Sequence, residues 1–343
     1  MKEKIIVVCP GRGSYTKESI GLLSQYQNPE LHAYWQRMDE RRLQDQLPSL
    51  SSIDTPPFRP QFHTLGEHAS TLIFTGALMD FYSIDFNRFE VVAVLGNSMG
   101  WYLALSCAYA LNEEHSYQLV QTMGGMMRER IIGGQIIYSL VDEQWQMQSK
   151  RLDFVHELLA DINTRKGHEA YISIYLGGYL VLAGNEMALN ALLKELPPVE
   201  NYPFKLVNHA AFHTPLLQET SSRAFTQIPR KYFRSPLFPL VDGRGKIWTP
   251  YGTDVEELYQ YTLGHQVVAP YDFTLSLEVA LKEFAPKRVV LLGPGATLGG
   301  SIGQVLVKNR WQQMASKKDF QERQLQDPFL LAMGIKEQRQ HLI

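Results

Sequence analysis

Ser98 lies in the run Gly96-Asn97-Ser98-Met99-Gly100, and a serine flanked by glycines two residues away on each side is the pattern of a nucleophile held on a sharp turn. The chemistry such a serine supports is acyl transfer. Its oxygen attacks a carbonyl, and backbone N–H groups at the turn stabilise the oxyanion that forms. The attack needs a base within hydrogen-bond reach. Of ten histidines, His213 is set apart by its surroundings: it follows Ala210-Ala211-Phe212 and precedes Thr214-Pro215, at a break before a helix.

The elements that must position these residues are legible around them. Val91–Leu95 is an apolar, largely β-branched run that reads as a buried strand, and Trp101–Ala108 reads as a helix. Ser98 then sits at the apex of a strand–turn–helix unit, with the N–H of Met99 at the helix start. A second strand, Ile5–Val8, runs into Cys9-Pro10-Gly11-Arg12-Gly13-Ser14-Tyr15. This loop is either a plain βα turn or one whose N–H groups face a ligand. It is no phosphate loop, since no Gly-Lys-Ser/Thr follows.

Further along, a charged helix is expected near Leu31–Gln46, an all-round apolar helix over Glu67–Tyr82, and a helix from Asn112 to about Arg130. From Gly133 the pattern changes to strand (Gln135–Val141), helix (Ser149–Arg165), strand (Ala170–Leu176), strand (Tyr179–Ala183), helix (Glu186–Leu196), strand (Pro203–Val207). This βαββαβ order is that of a ferredoxin-like unit. The main domain resumes at Asn208, and a late strand, Arg288–Leu292, ends in Gly293-Pro294-Gly295. The fold class is α/β. A large α/β-hydrolase-like subdomain (1–132 and 208–307) carries a small ferredoxin-like insert (133–207), with a polar C-terminal extension (308–343).

Composition narrows the class of function. The chain has 343 residues with 33 basic and 35 acidic side chains, and no basic run, which argues against nucleic acid as a partner. Two cysteines in apolar runs, Cys9 and Cys107, read as buried side chains, and no His/Cys/carboxylate set has metal-ligand spacing, so no cofactor is expected. The N-terminus enters a strand directly and no long apolar segment is present. A cytoplasmic protein with no membrane contact is expected.

Taken together, Pro10-Gly11-x-Gly13-Ser14, Gly96-x-Ser98-x-Gly100, Ala211-Phe212-His213-x-Pro215-Leu216 and Leu292-Gly293-Pro294-Gly295 resemble, in that order, the motifs of the malonyl-CoA:acyl-carrier-protein transacylase family, which includes the acyltransferase domains of fatty-acid and polyketide synthases. The resemblance spans about Ile5–Val305. It implies a ping-pong reaction in which Ser98 takes an acyl group from coenzyme A, with His213 as base, and passes it to the phosphopantetheine thiol of an acyl carrier protein. It also implies oxyanion donors at the N–H groups of Met99 and Arg12. The segment Pro270-Tyr271-Asp272-Phe273 matches the one from which the family steadies its histidine, so Asp272 is expected to orient His213. An acid at a helix start is otherwise commonly a cap.

The informative departure is Met123. Malonyl-specific members carry an arginine there that forks onto the substrate carboxylate, which a thioether cannot do. The resemblance therefore implies either an uncharged acyl group, with Met123, Phe212 and Asn97 at the acyl pocket, or a carboxylate met by another cation, for which Arg12 is the better candidate and Arg128 the poorer. Met126 and Met127 either line that pocket or pack in the core. Three competing readings share features with this one. A hydrolase of the same fold would clear acyl groups from carrier proteins with water. A non-catalytic scaffold subunit would not need both Ser98 and His213, and an esterase of the α/β-hydrolase type would need a late acid-then-histidine order.

Overall fold

The computed structural model describes residues 2–128 and 131–343. Its larger sheet has six strands in the spatial order Leu330–Ala332, Arg288–Leu291, Glu3–Cys9, Phe89–Gly96, Leu240–Val241, Ile247–Trp248. All neighbours are parallel except the last pair. A parallel sheet is covered on both faces and its central strands read as unbroken apolar runs. Ile5 to Cys9 accordingly have no exposed surface. Among the covering helices, Gly66–Ser83 is buried at every residue from His68 to Phe81, as its all-round apolar sequence predicts.

This buried helix meets the helix Glu113–Gly125 at a point where two glycines replace side chains. A Cβ on Gly66 would collide with the carbonyl of Gly124, and one on Gly124 with the carbonyl of Gly66 and the side chain of Ser70. The contact fixes where the second helix ends, and so where Met123 lies. That helix stops at Gly125; the expected end near Arg130 lies outside the described residues.

The smaller sheet runs Phe204–Lys205, Gly134–Ser139, Tyr179–Gly184, Ala170–Leu176, with every pair antiparallel. With helices Ser149–Thr164 and Glu186–Glu195 this is the βαββαβ unit expected from the sequence. Strand alternation sorts its side chains, with the phase of Ala170–Leu176 reversed by a bulge between Ile172 and Ile174. Ile136, Tyr138, Leu180 and Leu182 face the two helices in a separate small core, whereas Ile137, Val181, Ile174 and Leu176 face the larger subdomain. The sheet gains a fifth, parallel strand, Tyr271–Asp272, from the larger subdomain.

One expectation is corrected. The segment from 308 onward is no appendage, because Leu330–Ala332 forms the edge strand beside Arg288–Leu291. Phe329, Leu331 and Leu342 are fully buried. The residue that ties this segment in is Asp80 of the buried helix, which accepts from the N–H of Gly293 (2.7 Å) and pairs with Arg339 (3.2 Å). Among the described residues no helix is long and apolar enough to cross a membrane.

Candidate active site

The strand Phe89–Gly96 ends just before Asn97, and the helix Gly100–Cys107 begins two residues after Ser98. Both flanking glycines are required by close backbone approach. A Cβ on Gly96 would strike the carbonyl of Gly100, and one on Gly100 the carbonyl of Cys9. Ser98 itself has φ +56°, in the left-handed region that non-glycine residues seldom occupy. The turn therefore presents the hydroxyl outward, above the carboxyl end of the parallel sheet.

His213 meets it there, with Ser98 Oγ 2.7 Å from His213 Nε2. The other ring nitrogen, Nδ1, is 2.6 Å from the main-chain carbonyl of Gln266. A carbonyl only accepts, so Nδ1 holds the proton and Nε2 is left free to take the one from serine. Burial holds the His213 imidazole down at about 4, against the opposing pull of the Gln266 carbonyl. The residue also has φ +58°, and its N–H donates to the carbonyl of Val267 at 3.1 Å.

Gln266 is the residue that the sequence did not announce. Besides its carbonyl, its side-chain amide donates to the carbonyl of Ser98 (3.1 Å) and accepts from the Tyr102 hydroxyl (2.9 Å). It follows a π-helical turn, Tyr261–His265, a distortion that has no simple sequence signature and is frequent at functional sites. The one available signal was a polar side chain between His265 and Val267-Val268 in an otherwise apolar stretch.

The expected role of Asp272 is corrected. Its carboxylate accepts from the N–H of Leu275 (2.8 Å) and caps the helix Phe273–Phe284. His213 has its Nδ1 satisfied by Gln266, so no position remains for the acid. From the same segment it is Tyr271 that reaches the imidazole, with ring centroids 5.5 Å apart, while its hydroxyl donates to the carbonyl of Gly96 at 2.6 Å.

The loop carrying His213 is pinned from behind by the small sheet. Strand Ala170–Leu176 has a bulge between Ile172 and Ile174, and the unpaired Ser173 is turned so that its hydroxyl donates to the carbonyl of Phe212 at 2.8 Å. Gln135 donates to that hydroxyl (2.6 Å) and its amide oxygen lies 2.7 Å from Nδ1 of His209. Burial, aided by the nearby positive charge of Arg12, pushes the His209 imidazole down to about 3, so it is neutral.

Around Ser98 opens a cavity of about 350 Å³, lined by Arg12, Asn97, Met99, Met123, Phe212 and the apolar face of the small sheet. Among the described residues, the backbone N–H groups of Arg12 and Met99 donate to no protein acceptor. Met123, Met126 and Met127 all line the cavity. The Arg12 guanidinium is turned to the main chain. One terminal nitrogen donates to the carbonyl of Asn208 and reaches toward that of Thr64 (3.4 Å), while the guanidinium carbon lies 5.1 Å from the Phe212 ring centre. Burial lowers the Arg12 guanidinium to about 10. Arg128 instead pairs with Glu67 at 3.2 Å. The Asn97 side-chain oxygen is buried without a partner.

No protein-family model matches the chain, and no curated protein matches its sequence. Solved structures do match. A Synechocystis malonyl-CoA:ACP transacylase has a TM-score of 0.76 at 16% identity, with both chains fully covered. The Coxiella burnetii malonyl-CoA acyl carrier protein transacylase gives 0.77 at 17%, covering 99% of this chain and 97% of its own. A malonyl-transacylase solved in complex with its type II polyketide-synthase acyl-carrier protein gives 0.75 at 16%, covering 98% of each chain. At these identities the likeness is one of architecture, and it extends over the whole chain, the C-terminal edge strand included. The chain has the malonyl-CoA:acyl-carrier-protein transacylase fold.

Proposed function

We propose that the protein is a member of this transacylase family, an acyltransferase that moves an acyl group from coenzyme A to the phosphopantetheine thiol of an acyl carrier protein through an acyl-Ser98 intermediate. The observation that carries the reading is the 2.7 Å contact between Ser98 Oγ and His213 Nε2, with Nδ1 held on the Gln266 carbonyl. That arrangement gives serine a neutral base in the correct tautomer. Ser98 Oγ attacks the thioester carbonyl as His213 Nε2 takes its proton, and the oxyanion is received by the N–H groups of Arg12 and Met99. Collapse breaks the carbon–sulfur bond, and the departing coenzyme A sulfur takes the proton from His213. The carrier thiol then gives its proton to His213 and attacks the acyl-serine, and Ser98 leaves with that proton.

Two features support thiol over water as the second acceptor. The cavity walls are mainly apolar, and a site that excludes water protects an acyl-enzyme from hydrolysis. The neighbour in complex with a carrier protein supports the choice of donor and acceptor. The test is intact-mass spectrometry after brief exposure to acyl-CoA, with Ser98→Ala alongside. An acyl adduct absent from the variant, stable in buffer and discharged by phosphopantetheinylated carrier protein, is the expected result. An adduct discharged as fast by buffer alone marks a hydrolase, and no adduct with any thioester overturns the reading.

A further inference from the structure

We propose that the acyl group is an unbranched aliphatic chain of medium length, laid against the apolar face of the small sheet; this rests on the Ser98 acyl-enzyme reading above. An antiparallel sheet packed on one face normally turns polar side chains to the other. Here the second face is apolar as well. Ile137, Ile174, Leu176 and Val181 project from three adjacent strands toward the core of the larger subdomain, and all four also line the cavity. Met123, Met126 and Met127 form part of the rest of the wall, and unbranched thioethers adapt to a chain of several conformations.

Size points the same way. A volume of about 350 Å³ is the share of roughly a dozen water molecules. An acetyl or malonyl group joined to the end of a pantetheine arm leaves much of that space as wetted apolar surface. The space admits a chain several carbons longer than acetyl. The Arg12 guanidinium is turned partly away from the cavity space. One terminal nitrogen of Arg12 donates to the Asn208 carbonyl while the guanidinium lies against Phe212, and the helix Glu113–Gly125 presents the uncharged Met123 to the cavity.

The experiment is a chain-length series. Initial rates of Ser98 acylation are measured by intact mass with acetyl-, butyryl-, hexanoyl-, octanoyl-, decanoyl- and malonyl-CoA. The expected result is a kcat/KM that climbs by up to about fourfold per added methylene, the factor set by burying one methylene, and then falls once the cavity is full. Malonyl-CoA lies far below octanoyl-CoA. Ile174→Asn lowers the octanoyl-to-acetyl ratio at least about tenfold, and Val181→Phe moves the optimum to a shorter chain. A rate that is flat with length, or malonyl preferred over octanoyl, overturns the inference while leaving the acyltransferase in place. Should no thioester acylate the protein, calorimetry of Ser98→Ala with octanoyl-CoA and acetyl-CoA separates the two claims. Tighter binding of octanoyl-CoA supports the chain pocket though transfer has failed, and equal binding overturns the pocket as well.

Discussion

Gln266 holds both members of the candidate pair, accepting the Nδ1 proton of His213 on its main-chain carbonyl while its side-chain amide donates to the carbonyl of Ser98. One residue thus sets the tautomer of the base and the position of the nucleophile's backbone, and it does so from the end of a distorted helix. The two functions are separable, because substitution removes the amide but leaves the carbonyl.

Gln266→Ala is therefore expected to lower the acylation rate about tenfold without abolishing it, with the Tyr102 hydroxyl left unpaired at a cost of about 1–3 kcal/mol in stability. Single-turnover acylation and urea melts measure the two effects. A complete loss of activity in a folded variant would mean that the side chain does more than position Ser98.

Asp272→Ala gives the contrasting result. Loss of the cap costs about 1 kcal/mol of stability, and the rate of acylation stays within about twofold of the parent protein. A rate loss of a hundredfold or more would restore the carboxylate to a role at His213.

The pH dependence follows from the buried imidazole. With His213 held at about 4, its neutral, proton-accepting form persists well below the ordinary inflection near 6.5. The acylation rate is expected to stay level down to about pH 5 and to halve near pH 4. The same shift has a cost in stability. The unfolded chain takes up a proton below about pH 6.5, which the folded protein refuses until about 4, so this group's contribution is full above 6.5 and is lost as pH falls through that window. The loss reaches about 1.4 kcal/mol per pH unit. Comparing urea melts of the parent and His213→Gln at several pH values isolates it, and identical slopes would contradict the depressed imidazole.

The C-terminal strand is testable as core. Leu331 is buried beside Val290 in the edge pairing of the large sheet, so Leu331→Ala is expected to cost about 2–5 kcal/mol. A change below about 0.5 kcal/mol would return residues beyond 308 to the status of an appendage.

Much of this was visible in the chain itself. The strand–turn–helix around Ser98 and the βαββαβ insert are each specified by local pattern, since glycine spacing and period-two alternation act over a few residues, whereas His213 was a candidate base whose role rested on the family resemblance. What escaped has a physical reason in each case. Leu330–Ala332 is too short and too isolated in a polar segment for periodicity to mark, and only its parallel partner makes it a strand. Gln266 works through a main-chain carbonyl, which every residue has, so no residue type advertises it. Asp272 misled because a capping acid and a histidine-orienting acid look alike in sequence, and only the direction of the carboxylate tells them apart. Ser173 gains its role from a bulge whose position depends on how two strands register, a relation that no single strand contains.

The bonds between the two subdomains have a mechanical meaning. Tyr271–Asp272 lies in the small sheet though it belongs to the large subdomain, Ser173 holds the loop before His213, and the N–H groups of Gly177 and Gly178 are taken by Thr274 and Gln304 at 2.8 Å each. A jaw bolted at this many points is held at a set opening in this structure, so on the acyltransferase reading proposed above an acyl chain is measured by whether it fits a standing width.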